Sequence, residues 1–285
     1  AELMKFAEAG NLYRGSKPVM WSPVEETALA EAEVEYEDIT STQIDVAFEI
    51  TESPIEELVG AHAVIWTTTP WTIPVNQALA YGPEVEYVLA RFTTSFRWGD
   101  PESPEALDKR ALLLAKPLLE AFSNRTTAED PEIIWSGKGS DLAGTVARHP
   151  MHALGGFYAR PRPFLPGDFV TTDSGTGLVH MSPDHGEDDF LLCRKHDIEP
   201  VFAVMADGRY RDDWEWLGAG DVDADGKERR RSVINKPFNS PEGPICSDLR
   251  EAGGLLSASD DYQHSYPHSW RSKAKVIYRC TPQWF

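Results

Sequence analysis

The sequence predicts a mainly β protein with peripheral helices, an α+β chain whose core closes like a β-barrel. Two observations lead there. Short runs rich in β-branched and aromatic residues recur along the chain, each bounded by turn-forming residues, among 21 glycines and 21 prolines in 285 residues. Helical signals are few and scattered, which places the helices outside a β core rather than between its strands.

The elements follow in order. The first ten residues read as a short helix stopped by Gly10. "VEYEDITSTQIDVAFEI", Val34 to Ile50, mixes β-branched residues with partial alternation, the mark of strands with one solvated face. "AHAVIWTTT", Ala61 to Thr69, is a strand entering the core and stopped by Pro70, and Glu84 to Phe92 is another. Pro117 inside "SPEALDKRALLLAKPLLEAF" would remove a helical hydrogen bond, so that stretch divides into a strand at Ala111 to Ala115 and a helix opened by the proline. "EIIWSG", "GDFVTTD" and "GLVHMSP" read as short strands. Gly186 to Asp197 is a helix with an acidic first turn and a basic last turn, matching the helix dipole. "VFAVMADG" reads as a strand, "DVDADGKERRR" as a polar loop, Pro244 to Leu256 as a helix ended at its glycines, and "KVIYRCT" as a closing strand.

Charge narrows the function. A net charge of -19 opposes a surface that grips nucleic acid through many phosphates. No lysine or arginine lies between Lys17 and Arg91, an interval with fourteen acidic residues. Basic residues gather at Lys227 to Arg231, at Arg160 and Arg162, and in the tail from Arg271 to Arg279, where any polyanion is expected to touch. The three cysteines, Cys193, Cys246 and Cys280, form no CxxC pair, so a reducing, cytoplasmic setting is expected. No apolar run has the length of a membrane helix and the amino terminus lacks a signal layout, so no membrane partner is expected. No GxxxxGK[ST], GxSxG or GxGxxG pattern is present, which leaves an activated water rather than a covalent nucleophile as the hydrolytic option.

Two stretches are dense in functional side chains. In "WTTTPWTIPVNQAL", Trp66 to Leu79, Thr67, Thr68 and Thr69 place uncharged hydroxyls at the end of a buried strand, before a turn fixed by Pro70 and Pro74. Threonines are also ordinary strand residues, and tryptophans ordinary core. In "DSGTGLVHMSPDHGEDDF", Gly175 and Gly177 allow close backbone approach, His180 projects from a strand, and Asp188 and Asp189 open a helix. Such carboxylates commonly act as caps, and His180 alone could be a core histidine. His180, Asp184, His185 and Asp188 could also be imagined as metal ligands, although their spacing matches no HExxH-type site.

Taken together, the two stretches resemble the editing domain of isoleucyl-tRNA synthetases, the insertion known as connective polypeptide 1 of class I aminoacyl-tRNA synthetases. "KPVMWSPVEETALAEAEVEYED" and "HSYPHSWRSKAKVIYRCTPQWF" resemble the segments leading into and out of it. The resemblance implies a lead-in segment at 1–35, an editing domain at 36–264 and an exit segment at 265–285. Related valyl and leucyl enzymes usually carry an arginine and an acidic residue where this chain has Thr69 and Trp71. Many members have cysteine pairs where this chain has Ser22, Glu25, Ser269 and Ser272, and the synthetase signatures HIGH and KMSKS are absent, so the chain is expected to be a piece of a longer enzyme. The implied activity is post-transfer hydrolysis of Val-tRNA(Ile). Asp189 would pair with the amino acid's ammonium, and His180 would set the size limit. Trp66 and Trp71 would form walls, Thr67, Thr68 and Thr69 would hold the ester and terminal adenosine, and Thr72 would contact the substrate. Asn76 would fix the loop, and Gly175 and Gly177 would offer backbone amides. No cofactor is expected for editing, ATP and Mg belonging to the parent enzyme outside this fragment. The expected partners are the 3′ end of tRNA(Ile) carrying valine and the rest of the parent, with the chain itself monomeric. The alternatives are a metal-dependent hydrolase and a non-catalytic tRNA-binding module.

Overall fold

The computed structural model describes residues 2–92, 110–126, 128 and 130–284. Its strands are β1 (Arg14–Ser22), β2 (Thr27–Ala28), β3 (Val34–Glu52), β4 (His62–Thr67), β5 (Ala78–Tyr81), β6 (Glu86–Arg91), β7 (Ala111–Ala115), β8 (Glu132–Lys138), β9 (Val146–Arg148), β10 (Pro161–Pro166), β11 (Leu178–Met181), β12 (Leu255–Ser269) and β13 (Ile277–Trp284). The helices are α1 (Glu2–Glu8), α2 (Leu119–Thr126), α3 (Glu187–Lys195), α4 (Lys236–Asn239) and α5 (Pro244–Glu251). The mainly β class with peripheral helices holds.

β3 is the spine. It pairs with β12 from Val34↔Ser269 to Val46↔Leu255 and with β4 from Ile44↔Thr67 to Glu49↔His62, and it reaches β9 near its end. Its inner half is buried on both faces instead of one. Ile44, Val46, Phe48 and Ile50 enter the large core, whereas Ala47 enters a second cluster with Val64, Leu112, Leu114, Phe122 of α2 and Leu256 of β12. The alternation thus separates two apolar layers, so both of its phases are hydrophobic.

The large sheet runs β11-β5-β10-β9-β3-β4-β7-β6-β8, and a smaller one runs β13-β1-β2. The expected closed barrel is corrected here, because among the described residues no ladder joins β11 to β8. β7 already uses both edges, on β4 and β6, so the chain entering β11 meets it only through one bond from Ala115 N–H to the Thr176 carbonyl, 2.8 Å. Two expected strands are also absent. "GDFVTTD" turns, with Gly167 N–H on the Tyr81 carbonyl and Val170 N–H on that of Gly167. In "VFAVMADG" the amides of Val201 and Phe202 are taken by the Asp184 carboxylate at 2.9 and 2.6 Å, leaving only a Val204↔Tyr210 bridge.

Ser22, Glu25 and Ser269 do meet. Both serines are fully buried, and both hydroxyls donate to the Glu25 carboxylate, from Ser269 at 3.1 Å, tying the end of β1 to the end of β12. Replacing Glu25 by Ala strands two buried hydroxyls, so the denaturation midpoint is expected to fall by an amount equivalent to about 1–3 kcal/mol. An unchanged midpoint would show that the serines find other acceptors.

Candidate active site

β4 carries the threonine run out of the core, and a 3-10 turn from Pro70 to Val75 brings it back. Thr67 Oγ1 accepts the Thr69 N–H at 3.1 Å and lies 3.0 Å from Thr69 Oγ1. Thr72 Oγ1 donates to the Thr69 carbonyl at 2.8 Å. With its one proton so used, Thr72 accepts from His180 Nε2, 3.0 Å away. His180 therefore carries its proton on Nε2, and its Nδ1 is a buried acceptor with no hydrogen-bond partner. Burial, reinforced by the neighbouring His185, pulls the His180 pKa down to about 4, so the ring is neutral throughout the physiological range.

The second stretch joins at the same residue. His180 sits on β11 opposite Leu79 of β5. Two residues on, Ser182 donates its hydroxyl to the Thr72 carbonyl at 2.9 Å and its N–H to Asp189 Oδ2 at 2.7 Å. Asp189 is partly exposed along its length, but its carboxyl end is packed deeply enough that burial raises its pKa to about 7, against the lowering effect of the Ser182 N–H. Thr67, Thr69, Thr72, His180 and Asp189 thus form one network, linked through a serine that carried no sequence signal of its own.

The remaining expected site residues separate. Thr68, Thr69 and Trp71 line a cleft closed on its other sides by Thr40 and Ser41 of β3, Tyr266 of β12, and Lys236, Asn239 and Lys275; His180 and Asp189 lie outside that lining. Trp66 stands apart from the cleft, donating to Gln43 Oε1 at 3.0 Å and packing edge-on against Tyr262 at 5.1 Å. Gly175, at φ +80°, lets its loop pass over the Trp66 ring, which an added Cβ would approach to 3.2 Å. Gly177 owes its glycine to packing, because a Cβ there would stand 2.3 Å from Ala115 Cβ. Asn76, expected to fix the loop, is fully buried, donates to the Ala78 carbonyl at 2.9 Å and accepts from Arg162 Nε at 3.1 Å.

The four side chains imagined around a metal do not share a centre. The Asp184 carboxylate is occupied by two backbone amides, His185 Nδ1 bonds the Tyr278 carbonyl at 2.7 Å, and Asp188 is exposed. Among the described residues no group of three or more His, Cys, Asp or Glu side chains could hold an ion. Of the basic clusters, Arg229 is committed to Asp221 and Asp248, at 3.3 and 2.8 Å, and Arg230 to Asp212 and Glu228.

Beneath the site lies a buried ion pair that the sequence reading missed. Asp45 of β3 has no exposed surface and receives Arg125 of α2 in a bidentate fork at 2.8 and 2.7 Å, while the same guanidinium reaches the Gly175 carbonyl at 3.4 Å. A carboxylate in the apolar run "QIDVAF" was the available signal.

A mainly β domain with two distant motifs closed on one threonine-histidine-aspartate network is the architecture of this site. The chain belongs to the class I tRNA synthetases: the family described as "tRNA synthetases class I (I, L, M and V)" matches residues 1–285. It is 57% identical to an isoleucine-tRNA ligase of Zymomonas mobilis over 285 residues, 48% to that of Gluconobacter oxydans over 286 and 42% to that of Caulobacter vibrioides over 286. In each case the match takes in all of this chain and 28% of the relative. Among solved structures, the cytosolic leucyl-tRNA synthetase editing domain of P. knowlesi aligns with a TM-score of 0.41 and 12% identity, over 55% of this chain and 64% of that one.

Replacing Arg125 by Met leaves Asp45 buried without its partner and is expected to cost about 3–5 kcal/mol in chemical denaturation. Adding Asp45→Asn to Arg125→Met should recover part of that loss; no recovery would mean that the guanidinium acts through packing alone.

Proposed function

We propose that this chain is the editing part of an isoleucine-tRNA ligase and hydrolyses the ester of valine wrongly attached to tRNA(Ile). The observation that supports it best is the junction at Thr72, where the threonine run meets His180 directly and Asp189 through Ser182. Isoleucine and valine differ by one methylene, worth only about 1–3 kcal/mol in a hydrophobic pocket, a range for which isoleucyl-tRNA synthetase is itself the standard example. A second site with the opposite size preference removes the error, since overfilling a rigid cavity costs more than underfilling it.

In this reading the ionised Asp189 holds the α-ammonium of the mischarged residue in a charge-assisted contact. His180, neutral and fixed by Thr72, stands against the aliphatic group, with Trp71 on the adjoining wall. The Thr67, Thr68 and Thr69 hydroxyls hold the ester and the terminal ribose. Water attacks the ester carbonyl, the acyl-oxygen bond breaks, and the ribose oxygen leaves with a proton while valine departs. A histidine held near pKa 4 is a weak base, so positioning of the water and the substrate's vicinal ribose hydroxyl carry the proton transfer. Water is the only co-reactant. Residues 1–35 and 265–285 would connect the domain to the parent enzyme, whose ATP and Mg serve other steps, and the fragment would act as a monomer in the cytoplasm. No helix among the described residues is long and apolar enough to cross a membrane.

The purified chain is expected to release valine from Val-tRNA(Ile) at least about tenfold faster than isoleucine from Ile-tRNA(Ile); equal rates for both would sink the reading. His180→Ala should raise isoleucine release before it abolishes valine release, as measured by the ratio of the two rates. The acid dependence follows from Asp189. Its carboxyl is protonated below about 7 and charged above, so kcat/KM for valine release is expected to climb with pH and level off above pH 7. A flat profile between pH 5.5 and 7.5 would remove Asp189 from ammonium binding.

A further inference from the structure

We propose that Lys236 and Lys275 form an anion subsite that takes the last internucleotide phosphate of an RNA 3′ end entering the threonine cleft. The proposal rests on the editing reading and adds residues to it. Both lysines line the same cleft as Thr68 and Thr69, reaching it from different parts of the chain. Lys236 opens α4 and Lys275 precedes β13. Neither has a carboxylate within ion-pair distance among the described residues, although the chain carries 46 acidic residues against 27 basic ones. Arg229 and Arg230, by contrast, are each held by two acids. Two unneutralised cations facing one cleft repel each other until an anion enters, and the Lys275 ammonium is pushed below its usual range by burial and by the charge of Lys236.

The surroundings suit a nucleic-acid strand better than a free ion. Lys275 Nζ lies 5.3 Å from the centre of the Tyr266 ring. Tyr262, His264 and Tyr266 alternate along one face of β12, each ring 5.3 to 5.6 Å from the next, and all three are partly exposed. Cations beside partly exposed rings are what single-stranded RNA uses, phosphate on the charge and base on the ring. Thr40 adds an uncharged hydroxyl to the same cleft, whereas Ser41 is bonded to His264 Nε2 at 2.9 Å and the Asn239 amide donates to the Val233 and Asn235 carbonyls at 2.7 and 3.0 Å. In an otherwise acidic domain the subsite admits one phosphate rather than a duplex.

The test compares the chain with its Lys236→Gln/Lys275→Gln variant on two substrates, Val-tRNA(Ile) and the valyl ester of adenosine, which has no phosphate. The variant is expected to show KM for the tRNA raised roughly threefold to tenfold at low salt with kcat kept, a salt slope shallower by about 0.7, and unchanged hydrolysis of the adenosine ester. Unchanged KM for the tRNA, or equal losses on both substrates, would overturn the proposal. A parallel titration with a short RNA ending in CCA separates the two readings. If the parent chain hydrolyses neither ester yet binds that RNA, and the variant loses the binding, the subsite stands and editing falls; if the variant binds it as well as the parent, the subsite falls. Thermal melting of the variant at the parent's temperature checks that it folds.

Discussion

Thr72 is the constraint on which the site rests. One hydroxyl closes the turn on the Thr69 carbonyl and accepts the proton of His180, while its own carbonyl receives Ser182. The first bond shapes the threonine loop, the second selects the histidine tautomer, and the third aligns the N–H that holds Asp189. A buried network of this kind is strong only when every member is satisfied, because an unpaired polar group in low dielectric is costly. The His180 Nδ1 breaks that rule. It shares that state with Trp214 Nε1 and Ser232 Oγ elsewhere in the fold, but here the unpaired atom belongs to the ring that Thr72 holds.

Support for this junction comes from outside it. The Asp45-Arg125 pair lies where β3 faces Trp66 and also reaches the carbonyl of Gly175, so one guanidinium ties α2 to β3 and to the glycine loop. On the opposite flank, Arg162 is almost wholly buried and divides its donors among Asn76, Arg160 and Phe157. Tyr158 and Tyr210 then bond the carbonyls of Pro74 and Trp71. The proline turn, which offers few amide donors of its own, is thereby held through its carbonyls by side chains from later segments.

Much of this was legible in the sequence. Pro117 did divide a strand from a helix, and the acidic-to-basic order of α3 did mark its direction. The threonine and glycine-histidine stretches were visible as dense motifs, and the network joins them. What sequence could not supply was long-range pairing. β12 escaped notice because "SASDDYQHSYPHS" has no apolar alternation, and its partner is a strand more than two hundred residues earlier. Strand identity there comes from β3 and from aromatic rings that meet tilted or edge-on along one face, not from a buried stripe. Barrel closure failed for a related reason, since edge availability is a property of the assembled sheet and not of any segment.

The acidity of the chain now has a spatial meaning. The fourteen carboxylates between Lys17 and Arg91 fall mostly on exposed stretches of β3 and its neighbours, where they give those faces a negative field. One of them, Asp45, is instead drawn inside and neutralised by Arg125, while Arg229 and Arg230 spend their charge on nearby acids. Local pairing thus removes part of the arginine charge that composition had offered to a polyanion, at Arg229 and Arg230. Lys236 and Lys275 stand together at the cleft beside Thr68 and Thr69, where two like charges favour the approach of an anion. In such a domain the field at a cleft depends on which basic residues are paired as well as on how many there are.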